Sequence, residues 1–184
     1  RKTLDESQKV LIAYMRDGEA KAVEISASVY PVVSVTGYMI GEETGYIRIT
    51  TFNQTTFDQF KGVYGDLEKQ GAAHFIFDLR NTADGSLEAA TNVVSYLLPR
   101  GAYGYQIANT TNGETITLSA EDTYEMNYNS VTLVNERTAG VAELVAGALQ
   151  EIGRTTVVGA HTAGKGMVQQ CYATSDGSAI KLSV

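Results

Sequence analysis

Three short segments carry most of the side chains able to do chemistry. They are Asp78-Leu79-Arg80-Asn81-Thr82-Ala83-Asp84-Gly85, Asn135-Glu136-Arg137-Thr138-Ala139-Gly140-Val141-Ala142-Glu143 and Gly159-Ala160-His161-Thr162-Ala163-Gly164-Lys165-Gly166. Each follows an apolar run that reads as a buried strand, and such loops are where α/β folds keep their sites. Taken singly, their residues say little. Lys165 between two glycines reads as a solvated loop lysine, and Gln169 is as readily a surface residue as a site residue. His161 has no carboxylate partner in sequence. Cys171 is the better nucleophile by chemistry, but its place on a strand after Gln169 favours a small buried hydrophobe. The glycines at 159, 164 and 166 have neither the spacing nor the hydroxyl of a phosphate loop.

The elements around these loops alternate in type. Phe57, Phe60, Tyr64 and Leu67 recur at helical spacing between a Thr55 or Thr56 cap and Gly71. Leu87, Ala90, Val93 or Val94 and Leu97 form a second helix, and Leu144, Val145, Ala148, Leu149 and Ile152 a third. Residues 45–50, with Tyr46, Arg48 and Thr50 on one face, read as a strand, as do Phe75-Ile76-Phe77, Val131–Val134 and 156–159, the second of these buried on both faces. Asn112-Gly113 marks a hairpin, and Asp176-Gly177 turns another between 167–172 and 178–184. At the start, Leu4, Leu11, Tyr14 and Met15 suggest a helix over 4–16 closed by Asp17-Gly18. A strand follows from Ala20 to Ser26. The pattern predicts an α/β core.

Composition excludes several classes. Fourteen Lys and Arg against 21 Asp and Glu give a net charge of −7, the wrong sign for nonspecific nucleic-acid binding. With 43% hydrophobic and 19% charged residues over 184 positions, the chain is globular rather than disordered. No apolar run reaches the ~18–20 residues of a membrane span. A single cysteine makes no internal disulfide, and with two histidines it is too little for a structural zinc site. No metal or other cofactor is expected. Both ends read as interior segments, so the lack of a signal-peptide pattern carries no information.

Taken in order, five motifs resemble the carboxyl-terminal processing, or tail-specific, proteases, a Ser-Lys peptidase family. They are residues 45–52, Asp78-Leu79-Arg80-Asn81, Leu133-Val134-Asn135-Glu136, residues 143–150 and Gly164-Lys165-Gly166-Met167-Val168-Gln169. The resemblance implies a crotonase/ClpP-like mixed αβ core over 31–184, continuing past the last residue. It also implies that residues 1–30 are a PDZ remnant or a linker of helix and strand. In that family a serine attacks the peptide carbonyl, and a lysine whose ammonium is disfavoured by burial acts as its base. Backbone N–H groups hold the oxyanion. By resemblance Lys165 is the base, Gln169 its orienting partner, and Gly85 and Val141 belong to the oxyanion region.

The nucleophile position is Gly140, which has no side chain and cannot form an acyl-enzyme. A second departure is Asp84, where the family usually carries glycine. It puts an acid near the place where negative charge would develop. Thr138 could in principle supply the hydroxyl, but it lies two residues early. The expected function is therefore a tail-specific protease-like domain that binds polypeptide segments and is catalytically impaired. The alternative is a serine-type endopeptidase cleaving near protein C-termini, its serine replaced in this chain. A third reading makes the old site core packing only. Family resemblance implies a peptide ligand and an extracytoplasmic or periplasmic location, and leaves an oligomer open.

Overall fold

Asp17 and Gly18 both take positive φ, 56° and 80°, the geometry of a tight type I′ turn. They close a hairpin of β1 (Lys9–Arg16) on β2 (Glu19–Ser26), with Arg16 opposite Glu19. Over 9–16 this corrects the helix expected for 4–16, whose first residues, 4–8, lie outside the described residues. The Asp-Gly pair is a hairpin signal, and Val10, Ile12 and Tyr14 suit an extended chain better than a helix. The computed structural model describes residues 9–26, 28, 30–83, 85–99, 103–108, 113, 115–119, 129–167 and 169–183. Residues 1–32 form one compact unit and 33–184 another. Asp84 and Asn112 lie outside the described residues, as does the side chain of Cys171.

The second unit is built on a five-stranded sheet in the order β3 (Val35–Ile40), β4 (Thr44–Ile49), β5 (His74–Asp78), β8 (Asn129–Val134), β9 (Thr155–Gly159). Its first pair is antiparallel and the rest are parallel. Three helices follow strands: α1 (Thr56–Lys69), α2 (Leu87–Leu97) and α3 (Val141–Glu151). Two hairpins, β6 (Tyr103–Ala108) with β7 (Thr115–Ser119) and β10 (Gln169–Ala173) with β11 (Ala179–Ser183), stand outside the sheet. The result is a mixed α/β fold with a central sheet. No described helix is long and apolar enough to cross a membrane.

One core holds the helices to one face of this sheet. Ile47, Ile49, Phe75, Phe77 and Val134 point into it from alternate strand positions and meet Phe60, Tyr64, Val93, Val145 and Leu149. Tyr64 stacks on Phe75 with ring centroids 4.4 Å apart. The inward stripe of α3 is Ala142, Val145, Ala146, Ala148 and Leu149, so Ala148, Val145 and Leu149 face the core as expected, while Leu144 and Ile152 are only partly buried. The opposite face is left barer. Ile76, between two buried phenylalanines, is half-buried, so Phe75-Ile76-Phe77 is not enclosed on both sides as its composition suggested. β9 is likewise an edge strand with Val158 47% exposed.

Close backbone packing sets the end of β9. Gly159 has φ +139°, and a Cβ there would overlap the Val134 carbonyl oxygen. Gly62, on the exposed face of α1, has nothing within 4 Å. In urea unfolding, Gly159→Ala is expected to lose more than about 2 kcal/mol, whereas Gly62→Ala should gain roughly 0.5–1 kcal/mol from helix propensity.

Candidate active site

The first two loops are stitched together by side chains whose hydrogen-bonding capacity goes to neighbouring backbone. Thr138 is fully buried, and its hydroxyl donates to the Leu79 carbonyl at 2.9 Å while accepting from the Asn135 N–H at 3.0 Å. Thr82, equally buried, donates to the Ile49 carbonyl at 2.6 Å. Asn81 holds a positive φ of 62° and exchanges two bonds with Asn135: its N–H donates to Asn135 Oδ1, and Asn135 Nδ2 donates to Asn81 Oδ1. A backbone bond from Ala139 N to Thr82 O adds to this tie, and one from Ala163 N to Thr138 O draws the third loop onto the second, both 3.0 Å.

Glu143 completes the assembly. Its carboxylate accepts from the backbone N–H groups of Gly140 at 2.8 Å, Gly164 at 2.7 Å and Lys165 at 2.9 Å. The Thr162 side chain adds a further bond. Burial pushes the Glu143 pKa up, but these donors outweigh it and hold the pKa below its usual value. Sequence reasoning passed over this residue as a working group. Its signal was the three-residue spacing from Gly140 at the start of a helix, the acid half of a capping box.

Gly140 is the N-cap of α3, with φ 59° and ψ −122°, a conformation that side-chain-bearing residues rarely adopt. A Cβ placed there would find only the Ala83 carbonyl oxygen, at 3.6 Å, an ordinary contact. Room for a side chain is therefore present, and only the backbone resists one. Val141 is the first helical residue, and first-turn N–H groups have no intrahelical acceptor.

Lys165 is half-buried, and among the described residues its ammonium has no carboxylate partner. Gln169 stands half-buried at the first position of β10. The Lys165 amine and Gln169 are not hydrogen-bonded to each other; Glu143 holds the lysine by its backbone, and Gln169 belongs to a separate two-stranded sheet. Gly85 has a packing role, bridging Phe52, whose carbonyl oxygen would lie 2.6 Å from any Cβ. His161 is exposed in a cleft of about 520 Å³ between α3 and the loop after β9.

Beside the first loop lies a buried charge. Asp78 is 0% exposed and receives five donors: the Tyr46 hydroxyl, Arg48 Nη1 at 3.0 Å, and Arg80 Nε, Nη2 and backbone N–H at 2.7–2.9 Å. Burial raises its pKa, but Arg80 and Tyr46 prevail and lower it to about 2. Tyr46 is pushed up, by burial first and then by the Asp78 carboxylate. The Asp78-Leu79-Arg80 motif thus ends β5 with an ion pair that fixes where the first loop begins.

Loops in this order, joined at a glycine N-cap, call for comparison with known proteins. Residues 43–184 match the profile of Peptidase family S41. The chain belongs to this family, that of the carboxyl-terminal processing proteases. It is 35% identical over 144 residues to a carboxyl-terminal-processing protease of Synechocystis, covering 78% of this chain and 33% of that protein. To the carboxy-terminal processing protease CtpA of Bacillus subtilis it is 34% identical over 162 residues, covering 88% and 34%. The solved photosystem II D1 C-terminal processing protease superposes with a TM-score of 0.71 at 27% identity, covering 98% of this chain and 50% of that one. The chain thus spans about a third of the length of these curated S41 relatives.

Two outcomes test the S41 site's construction. The pKa of Asp78 is about 2 when folded against a usual 3.8. Its contribution is present above the unfolded value and lost as pH falls through the folded one. Urea-measured stability should therefore drop between about pH 4 and pH 2, and Asp78→Asn should flatten that drop while lowering stability at neutral pH. In hydrogen exchange, Glu143→Gln should speed exchange of the Gly140, Gly164 and Lys165 amides by about tenfold or more, leaving β5 and β8 protected.

Proposed function

We propose that this chain is a tail-specific serine-protease-like domain that binds polypeptide segments and is catalytically impaired. What supports the reading is that Gly140, the residue the resemblance puts at the nucleophile position, caps α3 and has no side chain. The Thr138 hydroxyl, two residues earlier, is buried and spent on the Leu79 carbonyl, so it is a poor substitute. Lys165 is assigned as the relic base, Gln169 as its partner, and the Gly85 and Val141 backbone as the relic oxyanion region. The hairpin of residues 9–26 is taken as the end of a PDZ-like module ahead of a crotonase/ClpP-like core. Relatives named chloroplastic C-terminal processing peptidases support an extracytoplasmic or lumenal setting.

The second reading, an active serine endopeptidase whose serine is replaced here, is favoured by the open space at Gly140. A Cβ there meets only the Ala83 carbonyl oxygen at 3.6 Å, and the positive φ opposes a side chain at a cost of about 1–3 kcal/mol. The two readings divide on what restoration does.

As it stands, the chain should show no acyl-enzyme burst on an unstructured peptide with an apolar C-terminus and no labelling by serine-directed inhibitors. Any residual acceleration should stay within about 10³–10⁴ over water. Gly140→Ser should unfold more easily by about 1–3 kcal/mol, and recovered cleavage in it would favour the second reading. Peptide cleavage by the parent chain, lost in Lys165→Ala, would overturn the claim of impairment.

A further inference from the structure

β9 ends the central sheet and, among the described residues, pairs with β8 alone. Its five residues, Thr155-Thr156-Val157-Val158-Gly159, hold no charge and no proline, and no bulge interrupts the register. Native sheets blunt an open edge with lysines, prolines or bulges, because its unpaired backbone groups accept another strand. None of these devices is present in β9. Thr156 and Val158 are exposed on the bare face of the sheet, and Val157 is half-buried on the helix side. That side of the edge is open too. The cleft of about 520 Å³ between α3 and the end of β9 has Glu143, Ala146, Gly147 and Gln150 as its α3 wall. A Cβ on Gly147 would find nothing within 4 Å. At the other edge α1 lies against β3, where a Cβ on Gly37 would overlap Val63.

The wall of this cleft is symmetric along the chain. Glu143 and Gln150 stand equally far from the mid-point between Ala146 and Gly147, and Val157 is the middle residue of β9. α3 connects the parallel strands β8 and β9, so it runs down the sheet and β9 runs back up. The two mid-points therefore stand near one height, and a two-fold axis through the edge at Val157 also passes the middle of α3. We infer that the occupant of this edge is a second copy of the chain, with β9 paired antiparallel on β9 about Val157 and α3 laid against α3 about Ala146 and Gly147. A two-fold contact must be self-complementary, and this one keeps like charges apart. Thr156 falls opposite the partner's Val158. Arg154 falls opposite the partner's Ala160, about 20 Å along the strand from its own copy. Glu143 falls opposite the partner's Gln150. The small residues at the centre let the helices approach to about 8 Å. The Gly140 turns, at the carboxyl end of each half-sheet, lie at opposite ends of the joint sheet and outside the contact.

The test is sedimentation equilibrium on the whole chain from about 1 to 200 µM. The mass should rise from that of one chain to that of two, with half-association near about 10 µM. Gly147→Glu and Thr156→Lys each bring two like charges together across the axis, and each should raise the dissociation constant at least about tenfold. Gly62→Glu, the same charge change on α1, should leave it unchanged. Gly147→Glu should melt no lower than the parent in dilute solution, because a helix gains from the loss of an interior glycine. In a Cys171→Ser background, chains carrying Thr156→Cys and chains carrying Val158→Cys should cross-link on mixing faster than either does with itself, since the register sets those positions opposite one another. A chain still monomeric at about 200 µM overturns the proposal. So does a dimer that Gly147→Glu leaves intact, or one in which the mixed cysteine pair shows no preference.

Discussion

The candidate site depends on where one carboxylate spends its lone pairs. Glu143 sits one turn into α3, yet its oxygens hold the N–H groups of Gly140, Gly164 and Lys165. A helix start, the glycine that caps it and a lysine-bearing loop from different parts of the chain are thereby fixed relative to one another. Charge-assisted bonds of this kind are roughly twice as strong as neutral ones, and here they replace water on backbone donors that the helix leaves unpaired. Without the carboxylate, the loop after β9 would keep only the backbone bond from Ala163 to Thr138 as a described tie to the α3 turn.

Gly140 shows how catalysis and backbone comfort pull against each other in such a turn. The φ of 59° and ψ of −122° aim the residue out of the helix start, which is where a nucleophile would be useful. A side chain in that conformation is strained, and strain of this kind persists at functional sites because the surrounding bonds over-determine it. In this chain the surrounding bonds come from Thr138, Asn135 and Glu143, and the residue they enclose is glycine. A glycine holds that conformation at lower strain than any residue with a side chain would.

Asp78 plays the matching part on the other side of the sheet. A carboxylate with no exposure to water is tolerable only if fully bonded, and Tyr46, Arg48 and Arg80 supply that. The arrangement needs two arginines for one acid, which leaves positive charge at the carboxyl end of the sheet beside the loops.

Most element types were legible in the chain. Phe57, Phe60, Tyr64 and Leu67 repeat with the helical period, Val131 to Val134 and 156–159 are short apolar strands, and the Asp176-Gly177 turn closes its hairpin. These are local patterns, set by period and turn chemistry. The family was legible because its loop residues recur in order, and Gly140 stood out against that order. The first hairpin was misread because a short apolar run with Leu and Met suits either period, and only pairing with the next strand decides it. What tertiary structure alone determined is partnership: that Glu143 reaches the third loop, that Thr138 is spent on Leu79, that two arginines meet on Asp78, and that Ile76 is left half-covered. Apart from Arg80, two positions from Asp78, the residues so joined are 21 to 59 positions apart. Sequence patterns carry no term for which distant backbone groups a side chain will find once the sheet is assembled.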